Sequence, residues 1–132
     1  MKRRTIVGLA VAPVAAAAAL VPIAGAGASG PTAHAAATKL RISAAPNAGL
    51  RFSKTRLTAR RGKVTIVMVN PTSAGLPHGV AIAGRHVDKT GKVVDPGGKS
   101  VVTVKLRRGR YTFYCPFDGH RAAGMKGTLV VR

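Results

Sequence analysis

Acidic side chains are almost missing from this chain of 132 residues: it has no glutamate, and Asp88, Asp95 and Asp118 stand against 22 lysines and arginines. The three form no pair in sequence, so acid–base catalysis by paired carboxylates has nothing to work with. Tryptophan is absent and aromatic residues reach only 4%. The basic residues are scattered and no recognition-helix or base-stacking motif accompanies them, so no specific nucleic-acid reader is indicated. A formal charge of +19 nevertheless favours acidic protein faces or anionic cell-envelope polymers as partners, because such a field attracts counter-charge whatever the fold. Cysteine occurs once, at Cys115, which excludes a disulfide within the chain. A long apolar period of 3.6 residues is missing after residue 35, so nothing there reads as a long amphipathic helix.

What is present begins with a leader. Lys2-Arg3-Arg4 precedes an uncharged stretch that runs to Lys39, apolar through Ile6, Val7, Leu9, Val11, Val14, Leu20, Val21 and Ile23 and ending in Ala33-His34-Ala35. Basic, apolar and small-residue regions in that order are the signature of a secretory signal peptide, cut between Ala35 and Ala36. Ala24-Gly25-Ala26 and Ala26-Gly27-Ala28 satisfy the same cleavage rule. An uncleaved membrane anchor is the competing reading; Pro13, Pro22 and the glycines weaken a spanning helix. The expectation is therefore a signal over 1–35 and one domain over 36–132, exported to a periplasm, cell envelope or the medium and working as a monomer. In an oxidising compartment a lone cysteine is paired between chains, reactive, or bound to something.

Residues 36–132 read as short strands separated by glycine, proline and basic turns. Lys39 to Ala45 alternates, and Leu50 to Ala59 suits an outer strand rich in charge. Lys63 to Asn70 sets Val64, Ile66 and Met68 on one face and Thr65, Val67 and Val69 on the other. Val80 to Ala83, Ser100 to Leu106, Tyr111 to Cys115 and Thr128 to Val131 complete the set, with Asp95-Pro96-Gly97-Gly98 and Arg107-Arg108-Gly109 as turns. About seven short strands with regular turns predict an all-β sandwich or barrel.

Between the last two strands, Cys115, His120 and Met125 offer a thiolate, an imidazole and a thioether at spacings of five residues. Thiolate and thioether are soft donors that select copper, and imidazole suits copper too; two histidines and a cysteine with a weak axial methionine describe an electron-transfer site. A second histidine must come from outside the loop. His78, which starts a strand after the turn-rich Pro71 to Pro77, is the better candidate, whereas His86 lies among Arg85, Asp88 and Lys89 as a solvated loop residue. Taken singly, the cysteine and methionine are ordinary core residues and the histidines ordinary surface ones; together they point to a metal. No open coordination position is implied, so the chain reads as a binding protein and not an enzyme.

These residues resemble those of the cupredoxin family, in particular its plastocyanin-like blue-copper domains. Tyr111 to Val131 carries the most specific part, Cys-x4-His-x4-Met, and Val69 to Ile82 is similar to the segment bearing the family's first histidine ligand. The resemblance implies an antiparallel Greek-key β-sandwich with one copper ion, Cu(I) or Cu(II), under loops at one end. His78, Cys115 and His120 would be the equatorial ligands and Met125 the axial one. It also implies a one-electron carrier with a transient, acidic redox partner, and a structural role for the Tyr111 hydroxyl. Copper storage or delivery would use the same ligands and stays open at this point, as does a cationic polyanion-binding role. One departure is Gly79, where plastocyanins commonly carry asparagine. The Gly79 N–H could still donate to the Cys115 sulfur, and Phe117 would be the second donor, since Pro116 has no N–H.

Overall fold

The computed structural model describes residues 36–132, together with Gly8 and residues 10–15. The expected signal peptide lies almost wholly outside these residues. Among the described residues no helix is long and apolar enough to cross a membrane.

Eight strands form where apolar and polar residues alternate: β1 (Thr38–Ser43), β2 (Arg56–Ala59), β3 (Gly62–Val69), β4 (Ala81–Gly84), β5 (Val87–Thr90), β6 (Lys99–Leu106), β7 (Gly109–Tyr114) and β8 (Lys126–Val131). They make a three-stranded sheet in the order β1-β3-β6 and a five-stranded sheet in the order β2-β8-β7-β4-β5. Val64, Ile66 and Met68 of β3 meet Val102 and Leu106 of β6 in one core with Ile82, Phe113 and Leu129 of the other sheet. The sandwich is thus the expected one, with a difference at its edges. β1 runs parallel to β3, with Thr38 opposite Val64, and β2 parallel to β8, with Arg56 opposite Thr128. Between β1 and β3 the chain crosses to the far sheet to lay down β2 and then returns, and such a crossover lets two strands of one sheet run the same way.

β2 is shorter than the expected Leu50 to Ala59. The chain before it turns the corner between sheets, where Phe52 bridges to Ala44 and packs its ring 5.6 Å from Phe113. β5 was not expected; it is joined to β4 by the two-residue turn Arg85-His86, both at positive φ (49° and 65°), as hairpins of this length require. Tyr111 donates its hydroxyl to the Arg107 carbonyl at 2.9 Å, fixing the β6–β7 turn as the resemblance implied. Strand directions set the two ends. β3 runs into Asn70, β4 starts after His78, β7 runs into Cys115 and β8 starts after Met125, so every expected ligand falls at one end.

Candidate metal centre

His78 sits between the turn Thr72–Ala74 and β4 and is held by its own backbone. Its N–H donates to the Val94 carbonyl at 3.0 Å, and the Val94 N–H donates back at 2.9 Å. Asn70, wholly buried at the end of β3, gives its side-chain amide to the carbonyls of Leu76 (2.9 Å) and Val94 (3.0 Å). One asparagine therefore ties together both stretches that flank His78. The other donors share a loop closed on itself: Cys115 N–H donates to Met125 O (3.0 Å), Met125 N–H to His120 O (2.9 Å) and His120 N–H to Phe117 O (2.9 Å). Asp118, Gly119 and Gly124, all at positive φ, let so short a loop fold back.

The two segments meet in the interior. His78 and Met125 are fully buried, Cys115 is 1% exposed and His120 6%. The Cys115 Sγ lies 3.8 Å from His78 Nδ1 and 3.6 Å from His120 Nδ1, and the three donor atoms are all within 4.8 Å of one another. The imidazole rings stand 5.0 Å apart, and Phe117 meets His120 edge-on at 5.1 Å. Burial, reinforced by the neighbouring His120, holds the His78 imidazole below its usual pKa, so its neutral, lone-pair-bearing form is favoured, which is the form that binds metals.

The donor set fits a metal ion. Bonds of about 2.0 Å to nitrogen and 2.3 Å to sulfur, roughly 120° apart, separate their donors by about 3.7 Å, close to both Sγ–Nδ1 distances. A buried thiol, two buried imidazoles and a buried thioether beside them match the soft preference of copper. The Gly79 N–H points at the Cys115 sulfur at 3.5 Å, as expected. A Cβ at Gly79 would come within 3.3 Å of the Lys92 carbonyl and the Pro116 ring, so close packing between the two ligand segments leaves little room for a larger side chain. Among the described residues Gly79 is the backbone N–H bonded to the sulfur, and the expected second bond from the Phe117 N–H is not formed. His86 is exposed in the β4–β5 turn at the opposite end and joins no cluster.

Asn70 and Val94 escaped the reading of the sequence. An asparagine before proline at a strand end looks like a turn residue, and only its burial and its two bonds show that it ties the segment before His78 to Val94.

No curated protein matches the chain in sequence. Among solved structures, auracyanin B is 25% identical, with a TM-score of 0.63 over 72% of this chain and 88% of that one. Auracyanin A, a "blue" copper protein of Chloroflexus aurantiacus, is 19% identical, with a TM-score of 0.60 over 74% of this chain and 100% of that one. The copper nitrite reductase of Nitrosomonas europaea shares the fold at 16% identity and a TM-score of 0.59; 73% of this chain covers 41% of that one. The model of the copper-binding proteins of the plastocyanin/azurin family matches residues 38–132, from the first residue of β1 past the last ligand candidate. With a buried thiol and two imidazoles spaced for one ion inside that match, the chain belongs to the plastocyanin/azurin family of copper-binding proteins.

Proposed function

We propose that the protein is an exported one-electron carrier whose copper is bound by His78, Cys115 and His120, with Met125 as a weak fourth donor. The observation that carries this reading is the convergence of the only cysteine and two histidines in one buried cluster. Copper bound there supplies a site that alternates between Cu(I) and Cu(II) by gaining or losing one electron. The side chains keep that site rigid. His78 is pinned through Val94 and Asn70, and Cys115, His120 and Met125 through their own loop bonds, so the donors have little freedom to rearrange when charge changes. His120, the most exposed of the four donors at 6%, offers the short path to solvent. Around it Phe117 is in contact, and Pro77, Pro116 and Ala122 belong to the same end, giving an apolar contact of the small kind that transient redox partners use.

Two features favour the carrier over copper delivery, which needs donors that a recipient can reach: all four donors are nearly inaccessible, and the loop that bears three of them is closed by backbone bonds. The excess of lysine and arginine supports an acidic partner. Loading the protein with copper under mild oxidant tests the reading. One copper per chain and an intense visible sulfur-to-Cu(II) band, lost in Cys115→Ser, are expected. A colourless loaded protein with Cys115 intact and reduced overturns it.

A further inference from the structure

The end of the sandwich opposite Cys115 is built from three turns that are all cationic. Arg60-Arg61 joins β2 to β3, Arg85-His86 joins β4 to β5, and Arg107-Arg108 joins β6 to β7. Two clefts of about 540 and 730 Å³ open between these turns and share Lys105 and Arg107 as a common wall. Together they are lined by Arg61, Arg85, His86, Lys105, Arg107 and Arg108, over a floor that includes Val87, Tyr111 and Leu106. No carboxylate lines either cleft. The nearest acid in sequence, Asp88, instead takes the Tyr114 hydroxyl at 3.5 Å, on the strand next but one.

This concentration of like charge is held in place, not left to float. A Cβ on Gly109 would stand 2.5 Å from Cδ and 2.9 Å from Nε of Arg85, so the Arg85 side chain lies directly over the Gly109 backbone, against the Arg107-Arg108 turn. That turn is fixed by the Tyr111 hydroxyl on the Arg107 carbonyl. Arg85 itself occupies a left-handed turn position that glycine or asparagine takes at less cost. The Arg61 N–H donates to the Arg132 carbonyl at 2.8 Å, which secures the third turn. Cations brought together by a strained turn and tight packing, with no acidic side chain lining the clefts, form a preorganised receptor for negative charge.

We propose that this cleft binds an anion made of linked phosphates, at the pole away from the metal. Four of its five lysine and arginine residues are arginines, whose planar forks take two oxygens at a time. A phosphate presents more oxygens to such forks than a carboxylate does, and linked phosphates bring neighbouring charges without apolar chain between them. Binding here would leave the His120 end free.

Calorimetry at constant ionic strength and amide NMR on the reduced, copper-loaded protein test the site. The probes are tripolyphosphate for a free anion, poly(glycerol phosphate) for a polymer-borne one, and orthophosphate and citrate for comparison. Tripolyphosphate or poly(glycerol phosphate) should bind about tenfold more tightly than orthophosphate or citrate, with shifts at Arg85–Val87 and Arg107–Tyr111. Arg85→Gln with Arg107→Gln, and separately Arg61→Gln with Arg108→Gln, should each weaken it by about tenfold. Lys39→Gln with Arg41→Gln, on the exposed face of β1, should change it by less than about twofold. Equal losses in all three double variants would reduce the site to a diffuse field, citrate matching the linked phosphates would remove the phosphate preference, and shifts at Cys115–Met125 instead would misplace it; each overturns the proposal.

Discussion

Replacing Asn70 by alanine should loosen His78 without touching any metal donor. The side-chain amide makes two buried hydrogen bonds, to Leu76 O and Val94 O, each contributing about 1 kcal/mol net. The two acceptors fare differently after the change. Val94 O keeps the His78 N–H, whereas Leu76 O loses its side-chain donor, adding about 1 kcal/mol or more if it remains out of water. Against this, Asn70 Oδ1 is buried with no partner, and its removal returns part of that loss. The expected cost is about 2–3 kcal/mol in the stability of the copper-free protein, measured by urea unfolding so that metal binding does not add its own contribution. Because the lost bonds hold both flanks of His78, copper affinity should fall as well, by about tenfold for each 1.4 kcal/mol that reaches the site. Asn70→Asp, which keeps the shape but sets a carboxylate against two carbonyls, should cost more than alanine. A change below about 0.5 kcal/mol in Asn70→Ala, with copper affinity unaltered, would refute the cross-link.

Other outcomes follow from the same geometry. His78→Ala should cost far more copper affinity than His86→Ala, since only the first belongs to the buried cluster; equal losses in a competitive chelator titration would contradict this. Met125→Leu should keep copper and colour but raise the reduction potential, by about 59 mV for each tenfold by which Cu(II) binding weakens relative to Cu(I), as read by voltammetry. The depressed pKa of His78 means the unfolded chain takes up a proton before the folded one. The copper-free protein should therefore hold its full stability above about pH 6.5, the ordinary histidine value, and lose it as pH falls from there through the folded pKa, by at most about 1.4 kcal/mol per pH unit for this group; a flat denaturation profile over that window would contradict the shift. Electron-transfer rates with an acidic partner should fall as salt rises, because screening acts over about 8 Å near physiological ionic strength, and charge reversal at Arg121 or Lys126 should slow the low-salt rate; stopped-flow rates indifferent to both would leave retention on an anionic surface as the role of the charge.

The strands that frame the site are legible because β3, β6, β7 and β8 alternate strongly and begin or end at glycine or basic residues, and their directions alone bring Cys115 and Met125 to one end. The loop ligand candidates are legible because thiolate, imidazole and thioether rarely share eleven residues without a metal. β5 is not legible: Val87 is its only apolar residue, and the strand exists because β4 offers a free edge one tight turn away. The parallel edges are equally hidden, since register between β1 and β3 depends on a chain crossing that no local pattern records. Asn70 is hidden for a third reason. Its importance lies in two backbone carbonyls, of Leu76 six residues on and Val94 twenty-four residues on, and a carbonyl carries no side-chain signature.

The charge distribution supplies a last step. Near the ligand loop, Arg121 does not stand free over His120; its guanidinium carbon lies 4.0 Å from the centre of the Tyr114 ring, on the strand that leads into Cys115. A cation over an aromatic face is attracted to it, so this charge is drawn onto the side of the five-stranded sheet and away from the apolar contact at Phe117. Asp118 and Asp95, two of the three acids, belong to segments at the metal-binding end, while the clefts between the opposite turns have cations and no acid at all. The two ends thus differ in that acids accompany the cations at the metal-binding end and none lines the clefts at the other. A uniformly basic surface would desolvate cations at every docking event, which is costly when they are left without partners. On the functions proposed above, cations on the flanks and at the far pole keep long-range attraction while the contact at Phe117 and His120 stays apolar, so that charge would guide a partner at one end and hold an anion at the other.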